Sequence, residues 1–143
     1  MISTTVVYAV PECPTGMLQY PPVPPAKCYA FITTLATFSQ ALDDCRNSSQ
    51  DLSSIHDAFI NMVLEGEGEF SFRETDTFWI GANSLTKNWT WTDGSKVDFS
   101  DWKRGANLEV LNQCGVMNTR TGLWDMIACN ETRPYICASD LFE

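Results

Sequence analysis

Thr77-Phe78-Trp79-Ile80-Gly81-Ala82 and, a few residues on, Trp89-Thr90-Trp91-Thr92-Asp93-Gly94-Ser95 are the stretch on which the fold turns. The first run is rich in the β-branched and aromatic residues that suit a pleated surface, and Asp93-Gly94 supplies turn chemistry after the second. Strand alternation puts Trp89 and Trp91 on one face, and we read that face as core packing rather than a platform for ligand stacking. From here the chain reads as short strands: Thr77–Ala82, Asn88–Thr92, Cys114–Asn118, Trp124–Cys129 and Pro134–Ala138. Between Gly94 and Gln113 about twenty residues show no period, a length that in a compact domain marks a functional loop.

Upstream of this stretch the period is helical. Thr37 and Gln40 have the spacing of a capping box, and Phe38, Ala41, Leu42 and Cys45 form one apolar stripe behind it. Asn47-Ser48-Ser49 ends that helix. A second helix is expected from about Asp57, with Phe59, Ile60, Val63 and Leu64 at helical spacing and Gly66 and Gly68 as its stop. Nearer the N-terminus, Cys28–Ile32 reads as a short strand, and Pro21-Pro22-Val23-Pro24-Pro25 as a stiff extended loop. Helices followed by a run of strands is an α+β arrangement.

The 143 residues suffice for one domain with a real core, and 44% hydrophobic content is ordinary for a globular protein. A net charge of −9 excludes nucleic acid and anionic membrane surfaces as natural partners. No apolar run approaches the roughly 18–20 residues of a membrane-spanning helix, so no membrane insertion is expected. The cysteines are Cys13, Cys28, Cys45, Cys114, Cys129 and Cys137, an even set without metal spacing, and His56 is the only histidine. Such a set favours disulfides and a secreted, extracellular address, although spacing alone leaves all the pairings open. Asn47, Asn88 and Asn130 each open a glycosylation sequon, which agrees with that address.

The ordered motifs resemble the C-type lectin-like domain. Trp79-Ile80-Gly81, the Trp89–Ser95 segment, Trp102 with Gly105, Trp124, Cys129 and the closing Pro134-Tyr135-Ile136-Cys137 carry the resemblance, which runs from Cys13 to about Ser139. It is nearest to divergent secreted members from invertebrates, including nematodes. It implies two helices packed on short, mostly antiparallel sheets, a long irregular loop, and the bridges Cys13–Cys28, Cys45–Cys137 and Cys114–Cys129. The first bridge, closing an N-terminal hairpin, would mark the long form. The domain is accordingly expected over 13–139. Residues 1–12 would precede it as a leader, with Met1 supplied for expression, and 140–143 would be a C-terminal tail.

Sugar-binding members hold a calcium ion through a Glu-Pro-Asn or Gln-Pro-Asp triplet in the long loop, a Glu shortly before the first cysteine of the third bridge, here Cys114, and an Asn-Asp pair after the Trp. Here Ala106-Asn107-Leu108 occupies the triplet position, Asn112 stands for the Glu, and Asp125-Met126 replaces Asn-Asp. No proline occurs between Pro25 and Pro134, so the triplet geometry is missing whatever the alignment. Asn107, Glu109, Asn112 and Asp125 remain as scattered oxygen donors. A hard cation wants six to eight such ligands at about 2.3–2.6 Å, and no metal or other cofactor is expected. Lys103 and Arg104 at the base of the loop, within a stretch that also holds Lys87, Lys96 and Arg120, would meet an anionic group.

The expected ligand surface is therefore Lys103, Arg104, Asn107, Glu109, Asn112 and Asp125. The expected function is non-catalytic recognition of a glycan or secreted or cell-surface glycoprotein without the usual calcium. Calcium-independent protein recognition with no sugar binding is the alternative. An enzyme is not expected: His56 reads as a surface or capping residue, the cysteines are assigned to bridges, and Asp43-Asp44 do not face each other.

Overall fold

The first helix begins where its capping chemistry requires. Thr37 Oγ1 accepts from Gln40 N–H at 3.3 Å and Thr37 N–H donates to Gln40 Oε1 at 3.0 Å, a reciprocal capping box. The computed structural model describes residues 11–141. Its elements are β1 (Leu18–Tyr20), β2 (Ala26–Ala36), α1 (Phe38–Asn47), β3 (Asp51–Leu52), α2 (Ala58–Ser71) and β4 (Thr77–Asn83). They continue with β5 (Thr90–Trp91), β6 (Gln113–Asn118), β7 (Trp124–Ala128) and β8 (Arg133–Leu141). Most of the expected leader lies outside the described residues, and β8 takes in Asp140 and Leu141 beyond the end expected for the domain.

The strands form one sheet in the order β1-β2-β8-β4-β6-β7, with β3 beside β8 and β5 beside β4. All pairings are antiparallel except β4 with β8. Alternation along β4 divides the core. Phe78, Ile80 and Ala82 face a cluster with Ile60 and Leu64 of α2, Met117, Trp124 and Ile136. Trp79 faces the opposite cluster with Phe38, Ala41 and Cys45 of α1, Val116 and Tyr135. Each large apolar side chain so buried contributes about 1.5–3 kcal/mol.

Asp57 caps α2, its Oδ1 accepting from Ile60 N–H at 2.8 Å. The helix does not stop at Gly66 and Gly68 as expected; it runs to Ser71. Gly68 is a packing residue: a Cβ there would lie 2.7 Å from the Phe78 ring, so the helix can approach β4 only without one. Gly81 answers to the same constraint, since a Cβ would come within 2.9 Å of the Leu52 carbonyl oxygen. The extended Pro-rich loop is also corrected. Residues 21–25 form bends between β1 and β2, with cis bonds at Tyr20-Pro21 and Pro24-Pro25.

Disulfides join Cys13 to Cys28, Cys45 to Cys137 and Cys114 to Cys129, as the resemblance implied. The first staples the β1–β2 hairpin, the second ties α1 to β8, and the third spans β6 and the end of β7.

Candidate functional site

The long loop from Gly94 to Asn112 is fastened at its start, middle and tip by protein groups. At its start Ser54 Oγ donates to Asp93 Oδ2 at 2.5 Å, and Ser95 donates to Asp93 Oδ1 through its hydroxyl and, at 2.8 Å, its backbone N–H. His56 Nδ1 lies 2.7 Å from Asp98 Oδ1, and its Nε2 lies 3.1 Å from Ser54 Oγ and 3.0 Å from Ser95 Oγ. Burial works to raise the Asp93 pKa, but the Ser54 and Ser95 hydrogen bonds outweigh it and leave the carboxyl lowered. The His56 hydrogen bond likewise lowers Asp98.

This cluster was not foreseen. His56 is no cap, since Asp57 fills that role. Ser95, His56 and Asp98 stand in the order of nucleophile, base and orienting acid. With both hydroxyl protons directed at Asp93, however, the serines meet the imidazole through their lone pairs. The base is offered no serine proton, so the arrangement fastens the loop rather than activating a nucleophile.

In the middle of the loop, Trp102 pairs with Trp124 as an isolated bridge. Trp124 N–H donates to the Asp101 carbonyl and Lys103 N–H to the Trp124 carbonyl, each at 2.8 Å. Trp91, Phe99 and Trp102 all meet the buried Trp124 ring edge-on at 5.4–5.8 Å. The Trp124 indole N–H donates to Asn61 Oδ1 at 2.7 Å, and Asn61 Nδ2 donates to Asp101 Oδ2 and the Gly122 carbonyl. The loop's base is thereby tied to α2. Trp79 is core, and so is Trp91, as expected, whereas Trp89 is only half-buried, lies outside β5 and packs on Trp102.

At the tip, Trp89 Nε1–H donates to the Leu108 carbonyl at 3.1 Å, and Ser84 Oγ to the Val110 carbonyl at 3.0 Å. Asn107 Oδ1 accepts from Glu109 N–H at 3.1 Å. Asn112 adopts a left-handed backbone, φ 59°, and its N–H donates to the Ser84 carbonyl. Exposed on the loop are Lys103, Arg104, Asn107, Glu109 and Asn112, together with three aliphatic side chains: Leu108, Val110 and Leu111 are 45%, 40% and 49% exposed.

Of the six expected ligand residues the structure brings two into direct side-chain contact. Lys103 Nζ lies 2.9 Å from Asp125 Oδ2, while Asp125 Oδ1 accepts from Met126 N–H at 2.8 Å. An ammonium thus sits on the one carboxylate that the resemblance places at a calcium ligand. Asn107 and Glu109 meet only through a backbone N–H, and Arg104 forms no ion pair among the described residues. No group of three or more His, Cys, Asp or Glu side chains converges among the described residues. The donor set does not fit calcium. Asn47, Asn88 and Asn130 are exposed.

The family profile described as a lectin C-type domain matches residues 34–139. Lymphocyte antigen 75 of Mesocricetus auratus is 30% identical over 120 residues, which make up 80% of this chain and 7% of that protein. The chain thus spans a small fraction of that relative. Ladderlectin of Oncorhynchus mykiss is 30% identical over 133 residues, 86% of this chain and 65% of the relative. The galactose-specific lectin nattectin of Thalassophryne nattereri is 28% identical, with 93% and 84% covered. Among solved structures, the C-type lectin CEL-I from Cucumaria echinata superposes with a TM-score of 0.79 at 26% identity, over 92% of this chain and 99% of that one. A calcium-independent type II antifreeze protein superposes with a TM-score of 0.78 at 24% identity, over 94% and 98%, and shares the fold.

Proposed function

Because the chain belongs to the C-type lectin domain family, we propose that it is a non-catalytic extracellular recognition module whose long-loop face binds a glycoconjugate without calcium. The observation that carries this reading is the Lys103–Asp125 ion pair, which puts a protein cation where the resemblance expects a metal. A loop already held by Trp89, Ser84 and Asn61 needs no ion to order it. Relatives named as lectins support a sugar as the ligand, including the galactose-specific nattectin. Arg104, with no ion pair among the described residues, and Glu109, both exposed on the loop, supply a donor and an acceptor for hydroxyl or acidic groups. Asn107, Asn112 and the paired Lys103 and Asp125 complete that surface.

A second reading has its own observation. Leu108, Val110 and Leu111 stand exposed together at the tip, which suits an apolar protein surface better than a sugar. No helix among the described residues is long and apolar enough to cross a membrane. A glycan array probed in calcium and in chelator, with wild type, Arg104→Ala and Leu108→Ser, tests both. Glycan signals that survive chelation and weaken in Arg104→Ala are expected. Signals abolished by chelation would contradict the proposal. Silence toward every glycan, with a protein partner lost in Leu108→Ser, would move it to the second reading.

A further inference from the structure

A second concave site lies beside the start of the long loop, between the β1–β2 hairpin and the start of α2. It is a cleft of about 320 Å³, and none of its lining residues falls within Gly94–Gln113. The bends that follow β1 make one wall apolar, with Tyr20, Pro21 and Pro25. The opposite wall is the turn into α2, with His56 and Asp57. Tyr29 of β2 lines the cleft at 3% exposure, and its hydroxyl has no hydrogen-bond partner among the described residues. Burial first, then the charges of Asp57 and Asp140 and the neighbouring Tyr20, push the Tyr29 pKa up. The group is a neutral phenol whose surroundings are carboxylates.

Of the four charged side chains that line the cleft, three are already paired. Lys27 is held by Asp140 at 3.2 Å, and His56 by Asp98 at 2.7 Å. Asp93, near enough to feel Lys27, already takes two serine hydroxyls. Asp57 uses one oxygen to cap α2 and has no cationic partner among the described residues. An anion would meet the Asp57 and Asp140 carboxylates with both basic groups of the lining, Lys27 and His56, already paired, and a neutral polyol would leave the Asp57 charge uncompensated. What fits is a group with a positive charge on a compact apolar body.

We propose that this cleft binds a small organic ammonium ion, its charge against Asp57 and the Tyr29 hydroxyl and its carbon body along Tyr20, Pro21 and Pro25. The ammonium can come from a free small molecule or be carried on a lipid headgroup; the chemistry recognised is the same.

The probe is choline, titrated by calorimetry into the folded, oxidised domain beside its neutral isostere, in which carbon replaces nitrogen. Saturable choline binding with a dissociation constant of about 1 mM is expected, with the isostere silent. Asp57→Asn keeps the helix cap, since Asn caps as well as Asp, and is expected to weaken choline binding at least about fivefold. Tyr29→Phe removes only a hydroxyl that forms no hydrogen bond among the described residues and is expected to weaken it with no loss of melting temperature. Arg104→Ala, on the long-loop face, leaves it unchanged. Flotation with phosphatidylcholine vesicles separates the sources. Co-flotation competed by choline supports the headgroup, and choline binding without co-flotation supports the free ligand. No saturation by choline, equal binding of the isostere, or wild-type affinity in both Asp57→Asn and Tyr29→Phe would overturn the proposal.

Discussion

Two glycines only two residues apart in α2, and so on different faces of the helix, should respond to alanine in opposite directions. Gly66 is exposed and a Cβ there would meet nothing within 4 Å. Alanine at Gly66 gains helix propensity and loses unfolded-state freedom, which stabilises by about 0.5–1 kcal/mol. Gly68 receives the same backbone gain, but its Cβ would lie 2.7, 3.0 and 3.4 Å from three atoms of the Phe78 ring. That ring is fully buried, and the Phe72 ring is packed beside it at 5.1 Å, so it has little room to move away. Overpacking of this kind costs about 1–3 kcal/mol, leaving Gly68→Ala destabilised by about 1 kcal/mol net. The two variants should therefore differ by about 2 kcal/mol, or about 6 °C in melting temperature for a domain of this size. Denaturant titration with unchanged m-values reads the difference directly. Equal stabilisation by both alanines would refute the claim that Gly68 is there for close packing against β4.

Asn61→Leu removes the acceptor for the buried Trp124 N–H and the donor to Asp101 and Gly122. A loss of about 3–5 kcal/mol in denaturant titration is expected, much of it recovered when Trp124→Phe is added; additive losses would disprove the coupling. Asp93 has a lowered pKa in the folded state, so the unfolded chain binds its proton first as pH falls. That contribution is complete above the ordinary carboxyl pKa of about 3.9 and is lost below it. Melting curves from pH 6 down to about pH 2.5 should therefore fall less steeply in Asp93→Asn than in wild type, and parallel curves would count against the Ser54–Asp93–Ser95 fastening.

What could be read in advance was local. The Thr37–Gln40 capping box lies within four residues, and the strand at Trp79-Ile80-Gly81 declares itself by its residue types, so both were legible. Gly66 and Gly68 were read as a helix stop because sequence displays glycine's backbone freedom and not the Phe78 ring that Gly68 admits. The Ser54, His56, Asp93, Ser95 and Asp98 cluster was invisible for a similar reason. Its members come from the segment after β3 and the segment after β5, and only the folded sheet brings the two together. Lys103 and Asp125 were both named as ligand candidates, but their mutual pairing depends on Trp102 lying beside Trp124. The cleft lined by Tyr29 left no trace in spacing or composition, because its walls come from β1, β2, the turn into α2 and β8, which only the fold brings together.

Calcium titration by calorimetry on the folded, oxidised domain, with a melting curve run beside it, tests the central claim most directly. With Lys103 on Asp125 and no convergent carboxylates among the described residues, no binding heat and no shift in melting temperature are predicted up to about 5 mM calcium. Saturable binding in the micromolar to low-millimolar range with a raised melting temperature would contradict the account, because the ion would then have displaced the lysine and ordered Asn107, Glu109, Asn112 and Asp125 around itself.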